Sequence, residues 1–258
     1  MGRLTEIAPG VLVATSSYAL TTTTVIVGAA GSGECLLIDP AVTVADLAAL
    51  AASLRELGLR PTVAWSTHAH WDHVLWSRSL GDAPRYAAPA AVTIAETERD
   101  GIIDSVEKSA PGHDLSLIGR LRVLDAPVIP WDGPTAQLIV HDGHAPGHGA
   151  VFLPDSGVVV AGDMCSDVEI PLLDTLAADP LGDYRTGMER LASVPGVRQV
   201  VPGHGHVGEA DELRMRLALD ASYLDAIASG KPSGDPRLED CAEWMQVTHE
   251  AQVRYFQP

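Results

Sequence analysis

The feature that most constrains this chain is a six-residue run, HAHWDH at 68–73, which directly follows the apolar stretch PTVAWST. That stretch predicts a buried strand, so the run lies at a strand end. It contains four potential metal ligands, which are His68, His70, Asp72 and His73. Adjacent imidazoles and a carboxylate would crowd and desolvate one another unless a cation lay between them. We therefore interpret the run as part of a metal site.

The spacing within the run indicates that one loop could serve two metal ions. Side chains two positions apart in an extended chain point to the same side, so His68 and His70 face one point. Asp72 and His73 follow where the chain turns and can face a second point.

Three further candidate ligands each follow an apolar strand or occupy a glycine-rich turn. They are His148 in HAPGHGAV, Asp163 in VVVAGDM and His204 in VVPGHGHVG. Glycine lets the backbone approach a site closely, and a polar side chain just beyond a strand points into the crevice at the sheet edge. Each motif alone is weak evidence, but their order along the chain supports a shared site.

The remaining histidines and aromatic residues carry less information. His144 and His206 flank the candidate ligands, and we predict hydrogen bonds around the site, contact with substrate or a solvated turn for them. Trp71 stands between two ligands, so we expect it to line a substrate pocket. Structural roles are expected for His113, His141, His249, Trp76 and Trp131.

The pattern of elements predicts an α/β fold with strands covered by helices in αββα layers. Short β-branched segments at 11–17, 21–28 and 34–40 form a β-meander, and 43–57 has helical spacing with Thr43 as N-cap. Further strands are expected at 61–67, 85–88, 137–142, 150–154, 157–163 and 198–202. Further helices are expected near 73–80, from Pro89, and over 183–193, 209–229 and 236–256. Segment 98–136 shows only a weak helix and a strand at LRVLDAPV, and we interpret it as a flap.

We predict one domain, with a catalytic core over 1–208 and C-terminal helices over 209–258 packed on it. The C-terminal segment is apolar enough for either this packing or a homodimer interface, and the sequence leaves both open. The formal charge of −17 disfavours a phosphate backbone, so we expect no nucleic-acid partner. No segment is apolar enough to cross a bilayer, and the three cysteines suggest no disulfide framework. We therefore expect a cytoplasmic protein without a membrane partner.

The ordered motifs HxHxDH, PGH, GD and PGHG resemble the metallo-β-lactamase superfamily over residues 11–208. The resemblance implies two mixed β-sheets sandwiched between helices, with two metal ions, expected to be Zn²⁺, at one edge. It implies that His68, His70 and His148 hold the first metal ion, and that Asp72, His73 and His204 hold the second. Asp163 would bridge the two ions. The implied chemistry is attack by a metal-bridging hydroxide, with Asp72 as the catalytic residue that orients the water and carries its proton.

The resemblance does not name the substrate, because the superfamily hydrolyses thioesters, lactones, β-lactams and phosphodiesters. The aspartate at 163 is similar to glyoxalase II-like and lactonase-like members and disfavours β-lactam hydrolysis. The segment 164–183 contains no Lys or Arg, which disfavours glutathione thioesters. We therefore expect an ester, thioester or lactone of a small, rather apolar molecule. The alternatives are a β-lactam hydrolase and a mononuclear iron-dependent oxidoreductase similar to persulfide dioxygenases, with iron or mixed metals in place of zinc.

Overall fold

The computed structural model describes residues 2–257, which form two β-sheets packed face to face with helices on their outer faces. The first sheet has the order β1 (Thr5–Ala8), β2 (Val11–Thr15), β3 (Thr22–Val27), β4 (Glu34–Ile38), β5 (Arg60–Trp65), β6 (Arg85–Ala87) and β7 (Arg122–Val123). The second has the order β12 (Gly208–Glu209), β11 (Gln199–Pro202), β10 (Val158–Gly162), β9 (His148–Leu153) and β8 (Gln137–His141).

Both sheets are mixed. Strands β1 to β4 are antiparallel and β4 to β7 are parallel, whereas only β10 and β11 are parallel in the second sheet. The helices of the described residues are α1 (Val44–Glu56), α2 (Pro89–Thr97), α3 (Arg99–Ser109), α4 (Pro180–Ala192), α5 (Ala210–Ala228) and α6 (Glu243–Phe256), with short 3₁₀ helices at Arg78–Leu80 and Pro236–Leu238. The predicted αββα sandwich is confirmed.

Three apolar layers hold the sandwich together. The middle layer joins the two sheets, with Ile38 and Trp65 of the first sheet against Val151 and Val160 of the second. A second layer packs α1 on the outer face of the first sheet, and a third packs α4, α5 and α6 on the outer face of the second. Burial of these apolar faces is the main stabilising contribution to the fold.

A close approach between the two sheets positions the end of β5. The indole Nε1 of Trp65 donates a hydrogen bond of 2.7 Å to the carbonyl of Gly149, and the Gly149 amide donates one of 2.7 Å to the Thr67 carbonyl. A Cβ atom at position 149 would lie 2.5 Å from the Trp65 ring, so only glycine permits this contact. The chain just after β5 and the start of β9 are therefore held side by side.

The sequence predictions hold for most strands and helices. Thr43 caps α1 through a capping box with Asp46, as its position suggested. The prediction of a helix near 73–80 is wrong, because only a short 3₁₀ helix at Arg78–Leu80 forms there. The weak segment 98–136 contains the full helix α3, and its predicted strand shrinks to two residues.

The C-terminal segment is tied to the core by hydrogen bonds from a buried arginine, which also forms ion pairs within the segment. The Arg237 guanidinium donates to Asp220 of α5 at 2.7 Å and to Asp235 at 2.7 Å, and it also donates to the carbonyls of Ser166 and Glu169. Tyr223, Leu224 and Met245 share one apolar cluster with the second sheet. These contacts support our proposal that 209–258 belong to the same domain as the core. No helix among residues 2–257 is long and apolar enough to span a membrane.

We predict that Arg237→Met lowers the free energy of unfolding by about 3–5 kcal/mol, because two buried carboxylates lose their partner. Urea denaturation followed by circular dichroism measures this change. The matched control is Arg254→Met, since Arg254 pairs with Glu250 on the exposed surface of α6, and it should leave the midpoint unchanged. A single transition is expected for both proteins. Separate transitions, or a wild-type-like midpoint for Arg237→Met, would contradict the one-domain proposal.

Candidate metal centre

The predicted ligands converge at one edge of the sandwich, where several strands end. His68, His70, Asp72 and His73 lie in the loop after β5, Asp163 follows β10, and His204 follows β11. Since β5 and β10 belong to different sheets, the site lies between the sheet edges. His68 and His73 are fully buried, and Asp72 and His204 are nearly so.

The side chains form two groups. Within each group, the ligand atoms lie within 4.8 Å of one another. The first group is His68, His70, His144 and Asp163, and the second is Asp72, His73 and His204. Asp163 touches both groups, because Oδ1 lies 3.1 Å from His73 Nε2 while Oδ2 lies 3.4 Å from the Nε2 atoms of His68 and His204. The arrangement is that of two adjacent cation sites with one shared carboxylate.

The structure differs from the sequence prediction at the third histidine, because it brings His144 rather than His148 into the first group. His144 Nε2 lies 3.0 Å from His70 Nδ1 and 3.4 Å from Asp163 Oδ2. The His148 ring is buried behind the site, and its Nε2 accepts a hydrogen bond from the Asp163 backbone amide at 3.1 Å. His148 Nε2 therefore faces the Asp163 backbone amide, and this histidine supports the loop that carries Asp163.

His68 and His73, the first and last ligands of the run, are oriented by a relay of hydrogen bonds from Asp39. Its carboxylate accepts from the Thr67 amide at 2.8 Å, from the Thr67 hydroxyl at 2.6 Å and from His73 Nδ1 at 2.9 Å. Because the Thr67 hydroxyl donates to Asp39, its oxygen accepts from His68 Nδ1 at 3.0 Å. Both rings therefore carry their proton on Nδ1 and present the Nε2 lone pair to the centre, as metal ligands require.

Backbone carbonyls fix the imidazoles of His144 and His204 in the same way. His144 Nδ1 donates to the Leu172 carbonyl at 3.0 Å, and His204 Nδ1 donates to the Ala19 carbonyl at 3.0 Å. A carbonyl only accepts, so Nε2 of each ring is the unprotonated atom, and it faces the centre. His144 reaches this position with a backbone φ of 79°, a conformation uncommon for a non-glycine residue.

The electrostatics of the centre favour a bound cation. Burial alone would lower the pKa of His73 and His204, yet the carboxylates of Asp163 and Asp72 raise both well above the ordinary value. The two Nε2 atoms lie only 3.3 Å apart, so protons on both would repel each other. In addition, His68 Nε2 and Asp163 Oδ1 are buried without a hydrogen-bond partner among the described residues. Metal ions fit this donor set, because they supply positive charge without those protons.

Two cavities open onto the centre. The larger has a volume of about 930 Å³ and the smaller about 290 Å³, and their shared lining consists of His70, Trp71, His144 and Leu172. Trp71 packs edge-on against Tyr18 with ring centroids 5.6 Å apart. Its place in both linings agrees with the predicted substrate contact, which stays a prediction.

Sequence reasoning missed His144 as a candidate ligand and overlooked Glu169 and Asp39. His144 could have been suspected from the pair of histidines in HDGHAPGH, but only the backbone geometry decides between them. Glu169 lines the smaller cavity, 3.8 Å from His204 Nδ1, and burial raises its pKa to about 7. Asp39 lies near the end of the predicted strand ECLLIDP, and no sequence motif close to it indicates a role at the metal site.

Comparisons with known proteins agree with the fold and the centre. A family model described as the metallo-beta-lactamase superfamily matches residues 18–224. The probable metallo-hydrolase YqgX of Bacillus subtilis (strain 168) is 24% identical over 184 residues, covering 67% of this chain and 80% of the relative. A hydroxyacylglutathione hydrolase of Rhodobacter capsulatus is 27% identical over 183 residues, covering 67% of this chain and 60% of that protein.

Among solved structures, TTHA1623 in a di-iron-bound form superposes with a TM-score of 0.59 at 26% identity, covering 81% of this chain and 96% of that one. The family match spans most of the chain, and the two-sheet architecture is shared. The chain therefore belongs to the metallo-β-lactamase superfamily of metal-binding hydrolases.

Proposed function

We propose that this protein is a dinuclear metal-dependent hydrolase that acts on an ester, thioester or lactone of a small, rather apolar molecule. The observation that carries the proposal is the shared carboxylate of Asp163, which borders both groups of ligand atoms. A site of this kind suits two divalent cations a few ångströms apart. Zinc is the proposed metal, because imidazole and carboxylate ligands without thiolates suit it.

The proposed ligand set keeps six of the seven predicted residues and replaces one. His68, His70 and His144 would hold the first ion, and Asp163 would contribute to both. The second ion would be held by Asp72, His73 and His204. His148 is proposed to position Asp163 through the hydrogen bond to its backbone amide. When bound, the metal ions would polarise a substrate carbonyl and activate water at neutral pH.

Asp72 is the residue proposed to move a proton during the reaction. Its Oδ2 lies 3.3 Å from His204 Nε2, and the side chain lines the smaller cavity, where a substrate could reach it. The neighbouring imidazoles lower its pKa despite burial, so the carboxylate is ionised and can accept a proton from water.

The substrate class is proposed from the walls of the cavities. Trp71 and Leu172 line both of them, which suits an apolar portion of the substrate. The R. capsulatus relative is a hydroxyacylglutathione hydrolase, so a thioester is a reasonable substrate for this chain. Among the described residues, the lining of the larger cavity includes no Lys or Arg to bind the carboxylates of glutathione, which favours a less anionic thioester or a lactone.

The second candidate is an iron-containing enzyme of the same fold. The observation that favours it is the di-iron-bound form of TTHA1623, which resembles this chain at 26% identity. Metal analysis and oxygen consumption distinguish a mononuclear iron oxidoreductase from the hydrolase. A cytoplasmic location and a homodimer remain predictions.

The ligand assignment predicts different metal contents for two histidine variants. Wild-type protein should bind about two metal ions per chain, and His144→Ala should lose about one of them. His148→Ala should retain more metal than His144→Ala, because its ring faces the Asp163 backbone. Elemental analysis after metal-replete purification measures this, with circular dichroism to verify folding. Full metal content in His144→Ala, together with loss of metal in His148→Ala, would contradict this assignment. It would favour His148 as the ligand of the first ion, as the sequence resemblance implies.

Substitution of the proposed proton carrier should abolish turnover. Asp72→Asn is expected to lower kcat by about 10²- to 10⁴-fold or more, because asparagine cannot accept the proton. The assay is hydrolysis of a panel of short thioesters and lactones by metal-loaded protein, with metal content measured in parallel. Asp104→Asn on the exposed face of α3 is the matched control and should behave as wild type. Near-wild-type turnover in Asp72→Asn would refute the role.

A further inference from the structure

We infer that the larger cavity selects substrates that carry both an apolar portion and a cationic group, such as an ammonium. The inference deepens the proposed function and rests on it only for the position of the reacting bond at the metal centre. It is carried by the charges that line the cavity and by the absence of any neutralising side chain there.

The larger cavity is a groove that begins at the metal centre. Its volume of about 930 Å³ is enough for a drug-sized molecule, and His70 and His144 form part of its wall. One face of α3 contributes Gly101, Ile102 and Ser105, which recur at helical spacing. The loop 172–177 forms another part of the wall. Apart from its acidic residues, the lining is therefore mainly apolar and suits the hydrocarbon part of a substrate.

In the part of the chain that the structure describes, all the formally charged side chains lining this groove are acidic. They are Glu98, Asp142, Asp174 and Asp183. Partial burial raises the pKa of Asp183, and the nearby carboxylates of Asp142, Asp179 and Asp174 raise it further. Within residues 2–257, the lining of the groove contains no Lys or Arg that could offset this repulsion. A ligand with a positive charge would relieve that repulsion.

The basic residues nearest in sequence to these acids are engaged elsewhere. Arg99, which follows Glu98, donates to the carbonyls of Ile118 and Leu115. Arg185, two residues after Asp183, donates to Asp225 of α5 at 2.7 Å. Neither guanidinium lines the groove. The negative charge of the groove is therefore available to attract a cationic ligand.

The groove and the metal centre would then have opposite electrostatic preferences. Bound metal ions would attract the carbonyl oxygen and its developing negative charge, while the acids would attract a positive group elsewhere in the molecule. A substrate with both features would be oriented in a single direction. An anionic substrate of the same length would be repelled by the groove, which sets the specificity that we propose.

The test measures binding of unreactive probes, so it does not depend on turnover. Hexyltrimethylammonium, 1-hexanol and hexanesulfonate are titrated into metal-loaded protein by calorimetry at moderate ionic strength. The cation should bind about tenfold or more tightly than the alcohol, and the sulfonate should bind more weakly than the cation. Equal affinity for the cation and the alcohol would overturn the inference.

Two triple variants separate the groove from the overall charge of −17. The groove variant, Glu98→Gln with Asp174→Asn and Asp183→Asn, should lose about tenfold in affinity for the cation and keep its affinity for the alcohol. The control variant removes three acids outside the groove lining, Glu96→Gln with Asp104→Asn and Glu107→Gln, and should stay within about twofold of wild type. An equal loss in both variants would assign the preference to net charge and refute the inference.

A single variant covers the case in which the triple variant does not fold. Glu98 is exposed and makes no capping hydrogen bond to α3, so Glu98→Gln should fold normally and still lose about threefold in affinity for the cation. Cation binding without hydrolysis of any thioester or lactone would leave this inference standing and reject the proposed function. Hydrolysis of a thioester or lactone without a preference for the cation would support the proposed function and reject this inference.

Discussion

The burial of imidazoles and carboxylates at one sheet edge is the constraint on which this molecule depends. Groups of this kind lose hydration when they are packed together, and the cost falls only if hydrogen bonds and a cation replace the water. Asp39, Thr67 and two backbone carbonyls supply the hydrogen bonds on the outer side of the rings. The inner side, where the Nε2 atoms face Asp163, is left for metal ions.

The two sheets serve that centre by bringing together loops that are far apart in the chain. The contact between Trp65 and Gly149 aligns the end of β5 with the start of β9, and His204 follows β11 at the same edge. Arg237 extends the support, because it holds the carbonyls of Ser166 and Glu169 in the loop after Asp163. The C-terminal segment thus stabilises a wall of the site as well as the second sheet.

The sequence predicted the sandwich and most of the candidate ligands because both depend on local patterns. A dense run such as HAHWDH after a buried strand has few physical explanations, and alternating apolar segments mark strands. The choice between His144 and His148 could not be made in this way. It depends on a positive φ at His144 and on a hydrogen bond from the Asp163 amide to His148, and both arise from tertiary packing. Helix α3 was hidden for a similar reason, because its groove-facing side carries glycine and serine where a core helix would carry larger apolar residues.

The most direct test of the central claim is anomalous X-ray scattering from crystals of metal-replete protein, recorded at the absorption edge of the bound metal. We predict two neighbouring peaks, one among His68, His70 and His144 and one among Asp72, His73 and His204, with Asp163 between them. A single peak, or a peak coordinated by His148 in place of His144, would contradict it.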